Sequence, residues 1–418
     1  MIDKFNEFGK SHQGISRLAF TEEEQFAKDY FIQLCREMGM TVKVDSIGNI
    51  IARRKGKKDT LPAVAVGSHL DTVYNGGRYD GLLGVVAGIE IVRSMEDENL
   101  ETLHPIEVIA FSCEESSRFG ISTLGSKAMI GELQFEEIRN LKDKDNISLS
   151  EALKKQNLSL ENYHMAERSK GDLKAFYELH IEQGTNLIDY GHTIGIVSGI
   201  AAPLRLSVNI KGKSSHSGTT RMLNRKDALL AAAELSMAVE KAANLEGEYG
   251  TVGTVGDLKV YPGAMNVIPG QAKLKIDIRS TNEGSRERVL EQVKKEMASI
   301  ESKRGVEISI EWMTKEAPVL MDEALIRRNE SLCQEMGYSY ILMPSGAGHD
   351  AMNMAKRWPS SIIFIPSVDG LSHHPDEYTK NEDIEKGIKF FEKVVRDQAI
   401  LEGKERGQHE GKESQTYL

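Results

Sequence analysis

Hydrophobic and polar positions follow two different rhythms along the chain. Over most of the sequence, uncharged apolar runs of strand length alternate with amphipathic segments of helix length, a pattern typical of an α/β architecture. The runs that are richest in Val, Ile, Ala or Phe cover residues 61–67, 105–112, 175–179 and 361–366. Because these runs are apolar on both faces, we predict that they are central strands of a sheet covered by helices.

The second rhythm is a strict alternation within residues 203–312. Leu204, Leu206 and Val208 alternate with polar residues, which indicates a strand with one solvent-exposed face. The predicted order is a strand, a helix at 224–245, strands at 251–260 and 271–280, a helix at 283–301 and a strand at 306–312. This βαββαβ order is ferredoxin-like. We therefore predict a domain at 203–312 inserted into a larger domain made of 1–202 and 313–405, with a polar, disordered tail at 406–418.

Composition narrows the classes of function. Lys and Arg number 53 against 63 Asp and Glu, and a net charge of −10 argues against a nucleic-acid partner. Apolar stretches are shorter than the roughly 20 residues of a membrane span, and the N-terminus does not resemble a secretory signal. We therefore expect a cytoplasmic protein that does not bind membranes. Cys35, Cys113 and Cys333 form no CxxC pair, so any metal must be bound by His, Asp or Glu.

Histidines follow three of the predicted central strands. His69 comes after the run at 61–67, His180 after the run at 175–179, and His373 and His374 after the run at 361–366. In open α/β sheets, ligands bind at the carboxyl edge of the strands. A single histidine of this kind is more often a hydrogen-bonded surface or core residue, so the interpretation depends on the carboxylates nearby.

Carboxylates accompany these histidines. His69 and Asp71 are two residues apart, so in an extended segment they share a face, and one can bind metal while the other holds the imidazole or its neighbour. We expect Asp71 in the supporting role, and the alternative for this pair is a polar strand end. Asp80 follows a glycine-rich loop and is either a helix N-cap or a bridge between two cations. Glu114 and Glu115 are adjacent and point in different directions, so one can bind metal while the other acts as a general base. The alternative for this pair is a solvated helix start.

Longer motifs connect these residues to a known family. In order along the chain they are GSHLDTVYNGGRYDG, the Glu pair of FSCEESSRFG, ELHIEQG, SSHSGTT, NVIPG, SGAGHDA and SHHPDEY. They resemble the motifs of the metal-dependent amidohydrolases that include N-carbamoyl-L-amino-acid hydrolases, β-ureidopropionase and allantoate amidohydrolase, a branch of the aminoacylase and carboxypeptidase metallohydrolases. The resemblance runs from about Gly14 to Ile400. It implies a mixed central sheet of the di-metal aminopeptidase type, with the inserted domain as a lid and dimerisation domain.

The resemblance also implies a dinuclear metal centre. Its ligands would be His69, Asp80, Glu115, His180 and His373. Asp80 would bridge the two divalent ions, and Glu114 would be the general base. The choice of His373 over His374 rests on the family pattern His-x-Pro-x-Glu. Zinc is the first expectation for the metal, but imidazole and carboxylate ligands also suit manganese, cobalt or nickel.

Further residues would bind the substrate. In relatives, the histidine that matches His216 reaches the scissile carbonyl, often in the active site of the partner subunit. Asn266 and Arg279 would hold the carboxylate and amide groups of the substrate, and the planar guanidinium of Arg279 suits a carboxylate. Gln183 and His349 also lie in motifs next to the site. The resemblance implies a homodimer formed through the inserted domain.

Two positions depart from the family pattern. Arg221 stands where relatives generally have Pro, and Ser116 stands where Gly commonly follows the Glu pair. Neither position is an expected ligand. They bear on the choice of substrate more than on the type of reaction.

These observations lead to one expected reaction. It is the hydrolysis of the carbamoyl (ureido) C–N bond of N-carbamoyl-L-amino acids or similar small ureido acids, releasing the amino acid, ammonia and carbon dioxide. Allantoate amidohydrolase is one alternative, and a dipeptidase or N-acyl-amino-acid hydrolase is another. A non-catalytic protein that keeps the fold would be expected to lack ligands, and none of the five ligands, nor Glu114, is missing.

Overall fold

The computed structural model describes residues 1–400, so the predicted disorder of 406–418 concerns residues outside the described part. The strands are β1 (Lys10–Ser11), β2 (Gly14–Ile15), β3 (Thr41–Val44), β4 (Ile50–Arg54), β5 (Ala63–His69), β6 (Ile106–Phe111), β7 (Leu173–Ile181), β8 (Ile194–Ile200), β9 (Ala202–Lys211), β10 (Ser215–His216), β11 (Val252–Tyr261), β12 (Val267–Ile268), β13 (Gln271–Ser280), β14 (Glu307–Lys315), β15 (Val319–Leu320), β16 (Tyr340–Ser345) and β17 (Ser360–Ile365). The helices are α1 (Ile2–Asn6), α2 (Glu22–Glu37), α3 (Leu82–Asp97), α4 (Leu124–Met129), α5 (Phe135–Ile138), α6 (Leu149–Lys155), α7 (Asn186–Asp189), α8 (Ala228–Leu245), α9 (Glu283–Arg304), α10 (Glu323–Met336), α11 (Asp350–Met354) and α12 (Asn381–Ile400).

The chain divides into two compact units. The second unit comprises residues 198–320 and 344–348, and the remaining described residues form the first. Residues 344–348 therefore belong to the second unit, although the sequence pattern places them with the larger domain. Two hydrogen bonds explain this assignment, since the backbone N–H of Ala201 donates to the carbonyl of Ser345 at 2.9 Å and Arg279 Nη1 donates to the carbonyl of Gly346 at 2.9 Å.

The first unit is built on a mixed sheet. Its central strands lie in the order β17-β7-β5-β6, and each neighbouring pair is parallel. β4 and β3 continue the sheet beyond β6 as antiparallel strands, and β8 lies antiparallel to β17 on the other side. The four apolar runs are these four central strands, so the predicted fold class is confirmed. Because the four strands are parallel, their carboxyl ends meet at one edge of the sheet.

Helix α3 packs directly against the central strands. A Cβ atom at Gly84 would lie 2.6 Å from the carbonyl of Leu179, and one at Gly88 would lie 2.7 Å from Cγ1 of Val108. Glycine at both positions lets the helix backbone approach the sheet more closely than a larger residue would permit. This close packing fixes the start of α3, which directly follows Asp80 and Gly81.

The second unit has the predicted βαββαβ order, formed by β9, α8, β11, β13, α9 and β14. Its sheet order is β11-β13-β9-β14, with every neighbouring pair antiparallel. Leu204, Leu206 and Val208 are fully buried and pack in a core with residues of α8 and α9. Burying each such side chain stabilises the fold by about 1.5–3 kcal/mol relative to exposing it. The alternation therefore produces one face that packs on helices and one polar face.

None of the helices within residues 1–400 could span a membrane. In that range, every helix is too short or too polar to cross a bilayer.

Candidate dinuclear metal centre

The carboxyl edge of the central strands collects the predicted metal ligands. His69 is the last residue of β5 and His180 is the next-to-last residue of β7. Glu115 follows β6, and His373 follows β17. Asp80 lies in the loop between β5 and α3. The structure therefore brings together, in the first unit, all the ligands expected from the sequence.

Asp80 lies at the centre of this group. Its Oδ1 is 3.4 Å from His69 Nε2 and 3.2 Å from His180 Nε2. Its Oδ2 is 3.4 Å from His373 Nε2, which in turn lies 3.0 Å from Oε1 of Glu115. Two ligand atoms that each lie about 2.0–2.1 Å from a tetrahedral zinc ion are about 3.3 Å apart. The spacing thus fits two ligand sets that share one carboxylate.

The hydrogen bonds of the two buried imidazoles fit a cation at their Nε2 atoms. Nδ1 of His69 lies 2.9 Å from the carbonyl of Asp71, and Nδ1 of His180 lies 2.9 Å from the carbonyl of Ile181. A carbonyl accepts only, so each Nδ1 carries a proton, and Nε2 is the ring atom that faces Asp80. An Nε2 atom that carries no proton can bind a metal ion at this position, and the facing carboxylate oxygen can bind the same ion. The donor set therefore fits a divalent metal.

The charges at the site also fit a bound divalent cation. Burial raises the pKa of Asp80, but the imidazoles of His180, His373 and His69 outweigh it and hold the pKa well below the usual range. Burial lowers the pKa of His69, but Glu114, Asp80 and Asp71 together raise it well above the usual value. Asp80 is therefore ionised, and the pocket attracts positive charge.

Asp71 supports both the imidazole and the glutamate pair. Its carbonyl contacts His69, and its carboxylate accepts the backbone N–H groups of Glu114 at 3.2 Å and Glu115 at 3.0 Å. Burial raises the pKa of Asp71 to about 7, against the lowering effect of His69. Asp71 thus lies against the His69 imidazole and the glutamate pair, at the place expected of a residue that holds a metal ligand.

Glu114 lies beside the ligands and is 8% exposed. Its Oε2 is 3.7 Å from Nε2 of His69. Burial raises its pKa well above the usual value, and Glu115, Asp350 and Asp71 add to this against the effect of His69. A carboxyl group with raised proton affinity can take up and return a proton, which is the property a general base needs.

Unusual backbone conformations cluster at the site. Cys113, Gln183 and His373 have φ values of 52°, 59° and 56°, in the left-handed region that residues other than glycine rarely adopt. Gly81 has φ of 66°, and a Cβ atom there would lie 2.3 Å from Cε1 of His69. Such strain is typical of functional sites, where surrounding contacts hold the backbone in place.

Gln183 and His349, expected near the substrate, lie in the first unit among the ligands. Gln183 Nε2 donates to Oδ2 of Asp80 at 2.7 Å and to Ser372 Oγ at 3.1 Å. His349 is 2% exposed, and its ring packs edge to face on His180 with ring centroids 4.6 Å apart. Burial and the neighbouring His180 lower the pKa of His349 well below the usual value, so its ring is neutral.

Three further carboxylates lie near the ligands and are not among the site residues predicted from the sequence. Glu178 accepts Ser68 Oγ at 2.7 Å and the backbone N–H of Ala351 at 2.9 Å. Asp350 is fully buried next to His349, and Glu377 is 2% exposed. The available signal was that each lies inside a motif, and that Glu178 places a charge within an otherwise apolar strand. Glu377 is also the last residue of the His-x-Pro-x-Glu pattern.

The residues of the second unit that the resemblance assigns to substrate binding fall into two groups. His216 pairs with Val267 in the short β10–β12 sheet, and the backbone N–H of Ser217 donates to the carbonyl of Asn266 at 3.0 Å. Arg279 lies near the far end of β13, where it bonds to Asp277 and Gly346. From Gln271 to Arg279 the strand advances about 27 Å at roughly 3.4 Å per residue. His216 and Asn266 are therefore together, and Arg279 is far from both.

Comparison with known proteins identifies the family. Residues 65–397 match the family described as Peptidase family M20/M25/M40. An uncharacterised hydrolase of Haemophilus influenzae is 46% identical, with 96% of this chain and 97% of that protein covered. The N-carbamoyl-L-amino acid amidohydrolase of Geobacillus stearothermophilus is 41% identical, with 94% and 95% covered. Other relatives are named allantoate amidohydrolase and ureidoglycolate hydrolase.

A solved structure shows the same fold over nearly the whole chain. It is an amidase of the hydantoinase/carbamoylase family from Burkholderia multivorans, with a TM-score of 0.89, 32% identity and 96% of each chain covered. The resemblance expected from the motifs is thus confirmed, as is a hydrolase that acts on linear amides. The chain belongs to the metal-dependent M20/M25/M40 peptidase family, among its carbamoylase and allantoate amidohydrolases.

Proposed function

We propose that the protein hydrolyses the carbamoyl C–N bond of N-carbamoyl-L-amino acids or similar ureido acids. The observation that carries this proposal is the Asp80 carboxylate, which lies between three imidazoles with the carboxyl group of Glu114 alongside. Several relatives named for this activity or for related ureido substrates support the choice of substrate class.

Two divalent ions are the proposed cofactor, with zinc first and manganese, cobalt or nickel as alternatives. His69 and His180 would hold one ion, Glu115 and His373 the other, and Asp80 would bind both. When bound, such ions lower the pKa of water to about 7 and polarise a carbonyl oxygen.

Glu114 is the proposed proton carrier. Its Oε2 faces the ligand cluster and would take the proton from the water that attacks the ureido carbon. As the C–N bond breaks, Oε2 would return this proton to the departing nitrogen. The amino acid then leaves together with carbamate, which breaks down to ammonia and carbon dioxide. The raised pKa of Glu114, caused first by burial, supports this cycle of uptake and release.

Substrate binding would require two subunits. Arg279 supplies a fixed guanidinium for the carboxylate of the substrate, because Asp277 and the carbonyl of Gly346 already orient it. His216 and Asn266 would contact the carbonyl and amide groups. A substrate a few ångströms long cannot span β13, whose length of about 27 Å separates Arg279 from the end of the strand that follows Asn266 and β12. We therefore place His216 and Asn266 of one subunit in the active site that uses Arg279 of the other, within a homodimer.

A substrate panel tests the reaction. Metal-reconstituted protein would be assayed with N-carbamoyl-L-amino acids, β-ureidopropionate, allantoate and dipeptides, with kcat/KM measured for each. The highest value for an N-carbamoyl-L-amino acid would support the proposal. The highest value for allantoate would favour the second candidate, which the relatives named allantoate amidohydrolase support. Turnover of dipeptides alone would contradict both.

A further inference from the structure

The Glu377 side chain occupies a buried position between two loops of the metal centre. It is 2% exposed and belongs to the segment that also carries His373. Its Oε1 accepts the backbone N–H of Tyr79 at 2.7 Å and the backbone N–H of Asp80 at 3.1 Å. One carboxylate oxygen thus binds both amides that lead into the central ligand.

Ser372 connects the same segment to the side chain of Asp80. Its Oγ donates to Oδ2 of Asp80 and also lies 3.3 Å from Oε2 of Glu377. A hydroxyl group has one proton, and Asp80 is the nearer acceptor. Gln183 Nε2 donates to the same Oδ2 of Asp80. Asp80 is therefore held at its backbone by Glu377 and at its carboxylate by Ser372 and Gln183.

The loop before Asp80 lies directly on the Glu377 side chain. A Cβ atom at Gly77 would lie 2.4 Å from Cβ and 2.5 Å from Oε1 of Glu377. Real Cβ atoms do not approach other atoms this closely, so the loop can adopt this path only with glycine at position 77. The contact is close enough that any displacement of Glu377 would also move the loop that presents Asp80.

We infer that Glu377 is a positioning residue for the metal centre. It fixes the backbone of Asp80 and ties the loop of this ligand to the segment of His373, so that two ligands far apart in the chain keep one geometry. This inference rests on the dinuclear centre of the proposed function. It concerns metal affinity and loop order, and both can be measured without substrate.

The test compares the metal affinity of four full-length variants. Glu377→Ala removes the acceptor, Glu377→Gln retains an amide oxygen, and Gly77→Ala displaces Glu377 without changing any carboxylate. Asp45→Ala is the matched control, because Asp45 is also buried and accepts the backbone N–H groups of Ile47 and Asn49, within its own turn. Metal-free protein would be titrated with Zn²⁺ alone against a chromophoric chelator.

Glu377→Ala and Gly77→Ala are expected to weaken Zn²⁺ binding about 10- to 100-fold, the usual effect of removing a group that orients a metal ligand. Glu377→Gln should have a smaller effect, and Asp45→Ala should bind Zn²⁺ like the unaltered protein. In hydrogen exchange, the amides of Tyr79 and Asp80 should exchange faster in Glu377→Ala.

Two results would overturn the inference in distinguishable ways. If the unaltered protein binds two Zn²⁺ and both Glu377→Gln and Gly77→Ala keep its affinity within twofold, Glu377 does not position the centre and the proposed function stands. If the unaltered protein binds no metal, both the inference and the dinuclear centre of the proposed function are wrong. Should Glu377→Ala fail to fold, the Gln and Gly77 variants still decide between these outcomes.

Discussion

At the scale of single residues, the proposed chemistry separates binding metal from moving protons. Glu114 and Glu115 are neighbours in sequence, yet Glu115 Oε1 contacts His373 while Glu114 Oε2 faces His69. The carboxylate of Asp71 accepts the backbone N–H of both, which holds the pair in this divergent arrangement. Substitutions at these positions should therefore have different consequences.

Glu114→Gln tests the proton carrier. The amide keeps the shape of the side chain but cannot take up the proton, so we expect metal content to be retained and kcat to fall at least about 100-fold. Metal analysis and steady-state kinetics on the same preparation measure both. A variant that keeps a near-normal kcat would remove Glu114 from this role.

Asp80→Ala tests the shared ligand. Because both of its oxygens contact imidazoles, its loss should remove both metal equivalents, whereas His69→Ala or Glu115→Ala should remove about one. Metal stoichiometry after dialysis distinguishes the variants. Equal loss in all three would contradict a bridging Asp80.

The residue scale also shows what the sequence could predict. His69, His180 and His373 were predictable because each follows an apolar strand, and the carboxyl ends of parallel strands meet at one edge. Glu377 lies in a motif, but its contacts were not predictable, since its partners are backbone N–H groups of a loop 297 residues away at Asp80. A backbone donor has no residue type, so a sequence motif does not identify the side chain that accepts from it.

At the scale of elements, the central strands of the sheet could be predicted from the sequence, whereas its edge could not. The central strands were predictable because they are apolar on both faces. β3 at the edge was not predicted, since it is largely exposed and its short sequence shows no apolar run. The packing role of Gly84 and Gly88 could not be predicted from the sequence either. Only the structure shows that these glycines allow α3 to contact the sheet.

Gly84→Ala tests this packing. The added methyl group would lie 2.6 Å from the carbonyl of Leu179, so the helix must move away from the sheet. Overpacking of this kind typically costs about 1–3 kcal/mol, which exceeds the gain of about 1 kcal/mol that alanine brings to a helix. Thermal unfolding of the metal-free protein should show a lower Tm. Glu90→Ala, in the same helix but in a surface ion pair with Arg93, is the control, and we expect little change there.

At the scale of the whole molecule, strand register sets which residues can act on one substrate. The order of residues along the chain does not reveal that His216 and Arg279 are far apart, because that distance follows from how β13 runs through the sheet of the second unit. Neither the βαββαβ order nor the motifs give the distance between His216 and Arg279. This distance can be tested by mixing two variants that are each inactive and measuring whether activity returns.

His216→Ala and Arg279→Ala should each show little activity alone. If His216 and Arg279 of one active site come from different subunits, a mixed dimer of the two variants contains one site with both residues intact and one site with both replaced. Random exchange of subunits makes half of the dimers mixed, so activity should return to about a quarter of that of the unaltered protein. Subunits would be mixed under mild denaturation, refolded and assayed, with each variant treated alone as the control. If both residues of a site came from the same chain, every site in the mixture would lack one of them and no activity would return, which would contradict the two-subunit site.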